Sequence, residues 1–356
     1  MGLSEKELEG RNYLQQKKPY VFDKVSKFTE KYNRGESIAI IQLQYNYICN
    51  MTCEHCSIKR FQGDKNKRRV TPTDIAKLAK QADELGLARF VISGGEPTVF
   101  PDLDDLVAAI DPEKFYINCD TNGYLLAEKA EHLKKIGIDR IQLSIDSLNA
   151  EEHDAFRRRP GAHHRAMEGI KECQRIGLPL YIQTVVTKDR LHSEEFIQFL
   201  EYFNGMGMNV FVSYAKPVGA WEGHFDNLID RKDMAFMKEL EKKYRVSTHL
   251  TPGYGLDMGC IGVKGFISVT QYGDVQPCPY IHTSIGNILE TPLKDIIQTG
   301  LNIKQFGEHV DTCLIAEDLD FIKKYVAGRI YNKPVPVPST EVFTEEDVTV
   351  KPFHIV

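Results

Sequence analysis

The sequence has 356 residues, a net charge of −5, 42% hydrophobic and 27% charged residues. That length suits two domains or one large barrel with an appendage, and the charge gives no electrostatic case for a nucleic-acid partner. No apolar run approaches the roughly 20 residues that span a bilayer, the N-terminus lacks the apolar segment of a signal peptide, and Lys6 stands where an N-myristoylation site needs Ser or Thr. No membrane partner is therefore expected. The eight cysteines are expected as reduced thiols or metal ligands in a cytoplasmic setting.

In chain order, residues 1–37 form a polar lead-in in which Val21, Val25, Phe28 and Tyr32 recur at helical spacing. A strand is predicted over Ile38–Asn46, and a loop with Cys49, Cys53 and Cys56 follows it, spaced C-x3-C-x2-C. Three thiolates on one loop can converge on an iron–sulfur cluster with one iron left free, or on zinc if a fourth ligand such as His55 joins them. The basic run Lys65–Arg69 reads as a solvated face.

Between residues 38 and 217 one unit repeats: a helix ends at Gly86, Gly137, Gly177 or Gly207, and a short apolar strand follows at once. Thr71-Pro72 and Ser193 supply helix starts. With Phe115–Asp120 added, six strands alternate with helices, which predicts parallel strands with right-handed crossovers. Polar residues within the strands suit an α/β fold of the partial (β/α)6 barrel type with a polar pocket at the strand ends; an open doubly wound sheet is the alternative. Residues 218–259 form a bridge with the single Trp221 and a helix near Arg231–Tyr244. Residues 260–330 hold Cys260, Cys278 and Cys313, a hairpin over Phe266–Gln276 turning at Tyr272-Gly273-Asp274, and a last helix near Glu317–Val326. Residues 331–356, with four prolines, read as an extended or disordered tail.

The cysteine loop after the first strand, with His55 before its last Cys, resembles the signature of the radical SAM superfamily. The resemblance implies that Cys49, Cys53 and Cys56 bind a [4Fe-4S] cluster whose open iron chelates S-adenosylmethionine (SAM), and that reduction of this pair yields a 5′-deoxyadenosyl radical. Gly94-Gly95-Glu96, directly after the second strand, is similar to the family's Gly-Gly-Glu, which holds the SAM amino group. Ser144 and Asp146, on one face of the fourth strand, match its ribose-binding Ser-x-Asp. Arg157 matches the residue that meets the SAM carboxylate, with Arg159 as competitor. Cys260, Gly273 and Cys278, spaced C-x12-G-x4-C, resemble the first half of a SPASM domain, or the shortened twitch form, which implies an auxiliary [4Fe-4S] cluster on Cys260, Cys278 and Cys313. The full seven-cysteine pattern is absent, so the fourth position is open or taken by His309, Asp311, water or substrate. Zinc on the three cysteines plus His309 is the rival.

Cys173 is expected as an inert core thiol. Cys119 is expected to be packed, with a hydrogen-atom donor role as the active-site version. Gln44, Asp120, Gln183, Tyr214 and Lys216 at strand ends, and Trp221, His224, Tyr254 and Asp257 on the bridge, are the other pocket candidates; a Tyr, Lys or Asp among them (Tyr214, Lys216, Asp257) is the expected base. The resemblance implies an enzyme, an oxidoreductase or epimerase, with a flavodoxin- or ferredoxin-type electron donor. Only 37 residues precede the barrel, too few for a fused leader-recognition domain. A sugar- or aminocyclitol-like small molecule is therefore the expected substrate, and a ribosomal peptide the alternative. A GTP cyclase is disfavoured by the late cysteine spacing and by a C-terminus that is not Gly-Gly. A non-catalytic iron–sulfur or zinc protein would leave Gly94-Gly95-Glu96 and Ser144-x-Asp146 without a purpose.

Overall fold

The computed structural model describes residues 5–61 and 67–349. Lys65 and Asn66 of the basic run and residues 350–356 lie outside them; Lys67, Arg68 and Arg69 are exposed, as a solvated face requires. The lead-in folds into α1 (Glu5–Lys17), α2 (Pro19–Ser26) and α3 (Phe28–Asn33). Then β1 (Ile40–Asn46), α4 (Pro72–Glu84), β2 (Arg89–Gly94), α5 (Leu103–Ile110), β3 (Tyr116–Thr121), α6 (Leu126–Ile136), β4 (Arg140–Ser144), α7 (Ala150–Arg157), α8 (Ala162–Ile176), β5 (Leu180–Val186), α9 (Lys188–Leu191), α10 (Glu194–Gly205) and β6 (Val210–Tyr214) alternate in chain order. Strands β1 to β6 pair in sequence, all parallel, as the expected half-barrel requires.

The local signals act as the sequence implied. Thr71 caps α4 through the Asp74 carboxylate, which accepts the Thr71 N–H at 3.0 Å. Ser193 Oγ accepts the Phe196 N–H at 3.1 Å at the start of α10. Gly137 and Gly177 close α6 and α8 with φ of 107° and 64°, a left-handed turn that glycine adopts without strain. Residues Ile41, Leu43, Phe90, Ile92, Ile117, Ile141, Leu143 and Ile182 point outward into the helices and are fully buried.

The alternate positions face inward and carry polar groups. Gln44 Nε2 donates to Ser268 Oγ at 2.9 Å, Ser268 Oγ donates to Gln42 Oε1 at 3.1 Å, and Gln42 Nε2 donates to Asp120 Oδ2 at 3.5 Å. These bonds cross from the half-barrel into the C-terminal segment. After α11 (Arg231–Lys243) and β7 (Val246–Ser247), β8 (Phe266–Thr270) pairs in parallel with β1, and β9 (Val275–Gln276) returns antiparallel. The hairpin that carries the late cysteines is thus part of the same nine-stranded sheet, in the order β7-β6-β5-β4-β3-β2-β1-β8-β9. The predicted hairpin turn is present, with Gly273 at φ 88°.

Helices α1 to α3 cover the opposite end. Val21, Val25 and Phe28 pack with Ile38, Ala88, Tyr116, Leu256 and Met258, and Lys18 Nζ donates to the carbonyls of Pro112 and Phe115 and to Asp139 at 2.6–3.0 Å. Of the two readings of the tail, draped on the surface or disordered, the described residues follow the first, packed as far as residue 349. Strand β11 (Val337–Pro338) pairs with β10 (Thr283–Ser284). Val342 and Phe343 are buried. Asp347 accepts the Thr344 N–H at 2.9 Å. Proline content had masked these buried apolar residues. The last predicted helix is a short turn, Leu319–Phe321, that widens into a π-turn over Ile322–Ala327. No helix of the described residues is long and apolar enough to cross a membrane.

Candidate active site

A cavity of about 310 Å³ opens at the carboxyl ends of β1 to β6, the end at which parallel barrels place their chemistry. Cys49, Cys53 and Cys56 line it, together with Gly94, Gly95, Glu96, Asp120, Ser144, Arg157, Lys216, Trp221 and Tyr280.

The cysteine loop is held by backbone. The Gly95 N–H donates to the Asn46 carbonyl at 2.7 Å and the Glu96 N–H to the Ile48 carbonyl at 2.8 Å. Gly94 has φ 118°, and a Cβ at Gly95 would overlap the Ile48 carbonyl oxygen. The two glycines therefore let β2 lie directly against the chain that leads into Cys49. Glu96, expected to receive a SAM ammonium group, is fully buried and already engaged. Its Oε1 accepts the Thr98 N–H at 3.1 Å, the Thr98 hydroxyl at 2.6 Å and the Thr121 hydroxyl at 2.6 Å, and its Oε2 accepts the Asn122 N–H at 2.7 Å. Burial raises its carboxyl pKa against the pull of these donors. Asn122 Nδ2 in turn donates to Asn50 Oδ1 at 2.7 Å, so Glu96 positions the cysteine loop; Oε2, with this single bond, is the atom left to accept a ligand donor.

Arg157 and Asp146 form a buried pair. Arg157 Nε donates to Asp146 Oδ2 at 2.7 Å, its Nη2 lies 2.7 Å from the same oxygen, and the Val185 N–H reaches Asp146 Oδ1 at 3.0 Å. Burial alone would raise the Asp146 carboxyl; Arg157 and the nearby His55 and His153 outweigh it and hold it at about 2. Arg157 Nη1 is 3.9 Å from Cys53 Sγ. Ser144 lines the cavity, whereas Asp146 stands behind Arg157 and orients it. Arg159 instead stacks on Tyr124, 4.5 Å from the ring centroid, so of the two candidates Arg157 is the one that lines the cavity. His55 stacks on Phe156 at 4.4 Å beside Trp221 at 5.8 Å. Burial pushes its imidazole down to about 3, and its Nδ1 has no partner.

The donor set fits iron–sulfur clusters. The thiols of Cys49, Cys53 and Cys56 lie within electrostatic reach of one another, and partial burial raises the Cys56 thiol. Cys260, Cys278 and Cys313 form a second such group, with Cys278 pushed up to about 12 and Cys313 to about 11, again by burial. Neighbouring buried thiols resist ionisation until a cation neutralises them, which bound iron does. Among the described residues no three His, Cys, Asp or Glu side chains close around a single-ion position; a cubane cluster spaces its thiolates more widely than one ion does. His309, which the zinc alternative needs, is exposed, and so is Asp311, which pairs with Arg231 at 3.9 Å.

Of the expected bases, Lys216 lines the cavity, whereas Tyr214 borders it but has its ring in the apolar core, 6.3 Å from His249. Asp257 does neither: it is exposed and its carboxylate accepts the Gly259 N–H at 3.2 Å. Tyr254, 5.0 Å from Phe28, belongs to the same loop under the α3 end of the barrel, and His224 is exposed. Cys119 is fully buried on the helix-facing side of β3, one residue from the inward Asp120, and joins Cys173 in the apolar core. Strand alternation explains this: if Asp120 faces inward, Cys119 cannot. Sequence reasoning did not single out Ser213, whose Oγ lies 3.2 Å from the Tyr280 hydroxyl; the one signal was Tyr280, two residues past Cys278.

Gly95→Ala is predicted to displace the cysteine loop, lowering the melting temperature by an overpacking cost of about 1–3 kcal/mol and halving reconstituted iron or worse. Calorimetry and iron assay check this; wild-type values in both would contradict the clasp described here.

Residues 43–203 match the radical SAM superfamily, and residues 260–318 match SPASM, an iron–sulfur cluster-binding domain. The chain is 29% identical over 296 residues to an AdoMet-dependent heme synthase of Nitratidesulfovibrio vulgaris, covering 72% of this chain and 78% of that protein. It is 30% identical over 234 residues to a probable GTP 3′,8-cyclase of Saccharolobus solfataricus, covering 64% and 74%. Its fold is similar to that of SuiB from Streptococcus suis, solved bound to the precursor peptide SuiA, with a TM-score of 0.59 and 18% identity over 78% of this chain and 69% of that one. With the two cysteine groups in place around a half-barrel, the chain belongs to the radical SAM superfamily and carries a SPASM iron–sulfur domain.

Proposed function

We propose that this radical SAM enzyme removes a hydrogen atom from a small molecule and oxidises it by two electrons. The observation that carries this reading is the cavity itself. It is walled on one side by the Cys49–Cys56 loop and on the other by Lys216 and Pro279-Tyr280, next to Cys278, so a substrate within it lies between the two cluster sites. The names of the two curated relatives, a heme synthase and a GTP cyclase, support a small molecule over a peptide.

When bound, SAM with its cluster supplies the 5′-deoxyadenosyl radical, and the auxiliary cluster supplies a site for the electron that the substrate radical gives up. What the chain's own residues supply is the proton acceptor. Asp120 faces the cavity, its Oδ1 has no partner, and burial pushes its carboxyl up to about 7 against the Gln42 hydrogen bond. Loss of a hydrogen atom from carbon, then of a proton from the attached O–H or N–H to Asp120 and of one electron, balances as a two-electron dehydrogenation. Epimerisation needs a hydrogen-atom donor in the cavity, and the one thiol expected for it, Cys119, is packed in the core. Trp221, Phe156 and His55 form an apolar wall that excludes water beside the cysteine loop. Cys49 is exposed, the side from which a flavodoxin- or ferredoxin-type donor would deliver electrons, and a reducing cytoplasm suits both clusters.

The test is anaerobic. Reconstituted protein with dithionite and SAM is expected to release 5′-deoxyadenosine, and Cys49→Ala/Cys53→Ala/Cys56→Ala together to release none; cleavage by that variant at the wild-type rate would refute the site. Asp120 must be ionised to accept a proton, so kcat/KM for the substrate should rise with pH up to about 7 and level off above it. Asp120→Asn should lose that limb and 10²–10⁴-fold in rate. An unchanged profile would remove Asp120 from the chemistry.

A further inference from the structure

Lys216 stands where the half-barrel meets the late cysteines, two residues past the end of β6. Its ammonium is held in place by the barrel: Nζ donates to Ser213 Oγ at 3.0 Å and to the Tyr214 carbonyl at 2.6 Å. It lies 4.1 Å from the centroid of the Tyr280 ring. The Tyr280 hydroxyl and Ser213 Oγ are 3.2 Å apart, so the strand end and the Cys278 loop grip the lysine jointly. The residue is 7% exposed, and among the described residues it has no carboxylate partner. A buried ammonium without a counter-ion is costly, and an aromatic face offsets only part of that cost. Cys313 and Cys278 lie within its electrostatic reach, and as thiolates holding a cluster they would favour its charged form against the desolvation that disfavours it. Among the other titratable groups around it, Asp120 acts on Tyr280, and His55 and His249 feel the Lys216 charge and are held neutral by burial.

We propose that Lys216 is the built-in counter-charge of the auxiliary cluster: its ammonium faces the Cys278 and Cys313 thiolates from the cavity wall and raises the reduction potential of the cluster they hold. Adding an electron makes a thiolate-ligated cluster more negative. A fixed positive charge nearby therefore stabilises the reduced form, and burial keeps that interaction from being screened. Ser213, the Tyr214 carbonyl and Tyr280 act as positioning groups that hold the charge at the cluster rather than let it reach solvent. The inference deepens the proposed function, because it gives the electron leaving a substrate radical a reason to move toward Cys278 and not back toward Cys53. It rests on Cys260, Cys278 and Cys313 as the auxiliary cluster site.

The experiment is an EPR-monitored redox titration of the fully reconstituted enzyme, comparing wild type, Lys216→Met and Lys216→Arg, with iron and sulfide measured on each sample. Lys216→Met is expected to keep its iron and to shift the auxiliary couple negative, so that at a fixed potential the reduced-to-oxidised ratio falls at least tenfold, about 59 mV for a one-electron couple. The SAM-binding cluster should not move, and Lys216→Arg should restore most of the shift. Lys216→Gln, closer in polarity, takes the place of the Met variant if the latter fails to fold. Auxiliary potentials equal to wild type in a neutral variant with full iron would overturn the proposal. A neutral variant that raises only the KM for substrate would do so as well, assigning Lys216 to substrate binding. If wild type itself shows a single cluster signal, the fault lies in the cluster assignment on which the proposal stands, and both fall.

Discussion

A single buried carboxylate ties the site together. Glu96 sits at the end of β2 with no solvent around it, and four donors from two segments converge on its oxygens. A carboxylate in that position is stable only while those donors remain, because an unpaired buried charge costs several kcal/mol. The bonds to Thr121 and Asn122 therefore fix the end of β3 relative to β2. Asn122 then holds Asn50, and the Gly95 and Glu96 N–H groups hold Asn46 and Ile48. The loop that carries Cys49, Cys53 and Cys56 has no helix or strand of its own until Ser57. Its shape is imposed from outside, by strand ends rather than by local propensity.

The same economy governs charge. The ionisable groups of the cavity wall differ in the neighbours that set their charge. Asp146 neutralises Arg157 and aims it at Cys53; burial pushes the Asp120 carboxyl up to about 7 against the bonds from Gln42 and Ser93, so that it exchanges a proton near neutral pH; Lys216 has no carboxylate and looks to the late thiols. A pocket of this kind separates a cationic, cluster-facing rim from one proton-accepting wall. The lumen chain from Asp120 through Gln42, Ser268 and Gln44 to Gln276 also explains why the SPASM hairpin is not an independent appendage. Its strand β8 completes the edge of β1 that a half-barrel would otherwise leave unpaired.

Much of this was legible in the residues. The helix–glycine–strand repeat fixed the parallel half-barrel because each signal is local: a cap, a left-handed glycine, an apolar strand. The cysteine spacing and Gly94-Gly95-Glu96 located the site because they sit at strand ends. Three things were not legible. Glu96 was legible only as a ligand-binding carboxylate; its second task, clamping the loop, was not, since nothing in one sequence shows that Thr98, Thr121 and Asn122 converge on it across the fold. Asp257 and Tyr254 looked like bridge residues near the pocket, yet the bridge runs under the barrel to pack on α3, a path set by tertiary contacts. Whether the proline-bearing tail was draped or disordered stayed open; Val337, Val342 and Phe343 bury enough apolar surface to dock it. Cys119 could have been placed from strand parity alone, once Asp120 was given the inward face.

The account depends on two cluster sites facing one cavity. The most direct measurement is iron and acid-labile sulfide per chain after anaerobic reconstitution, with zinc assayed in parallel, on wild type and on Cys278→Ala. About eight irons in wild type, falling to about four in the variant while uncoupled SAM cleavage persists, is the expected result for two [4Fe-4S] clusters. About four irons with one zinc in wild type, or iron content unchanged by Cys278→Ala, would contradict the second site and with it the electron path across the cavity.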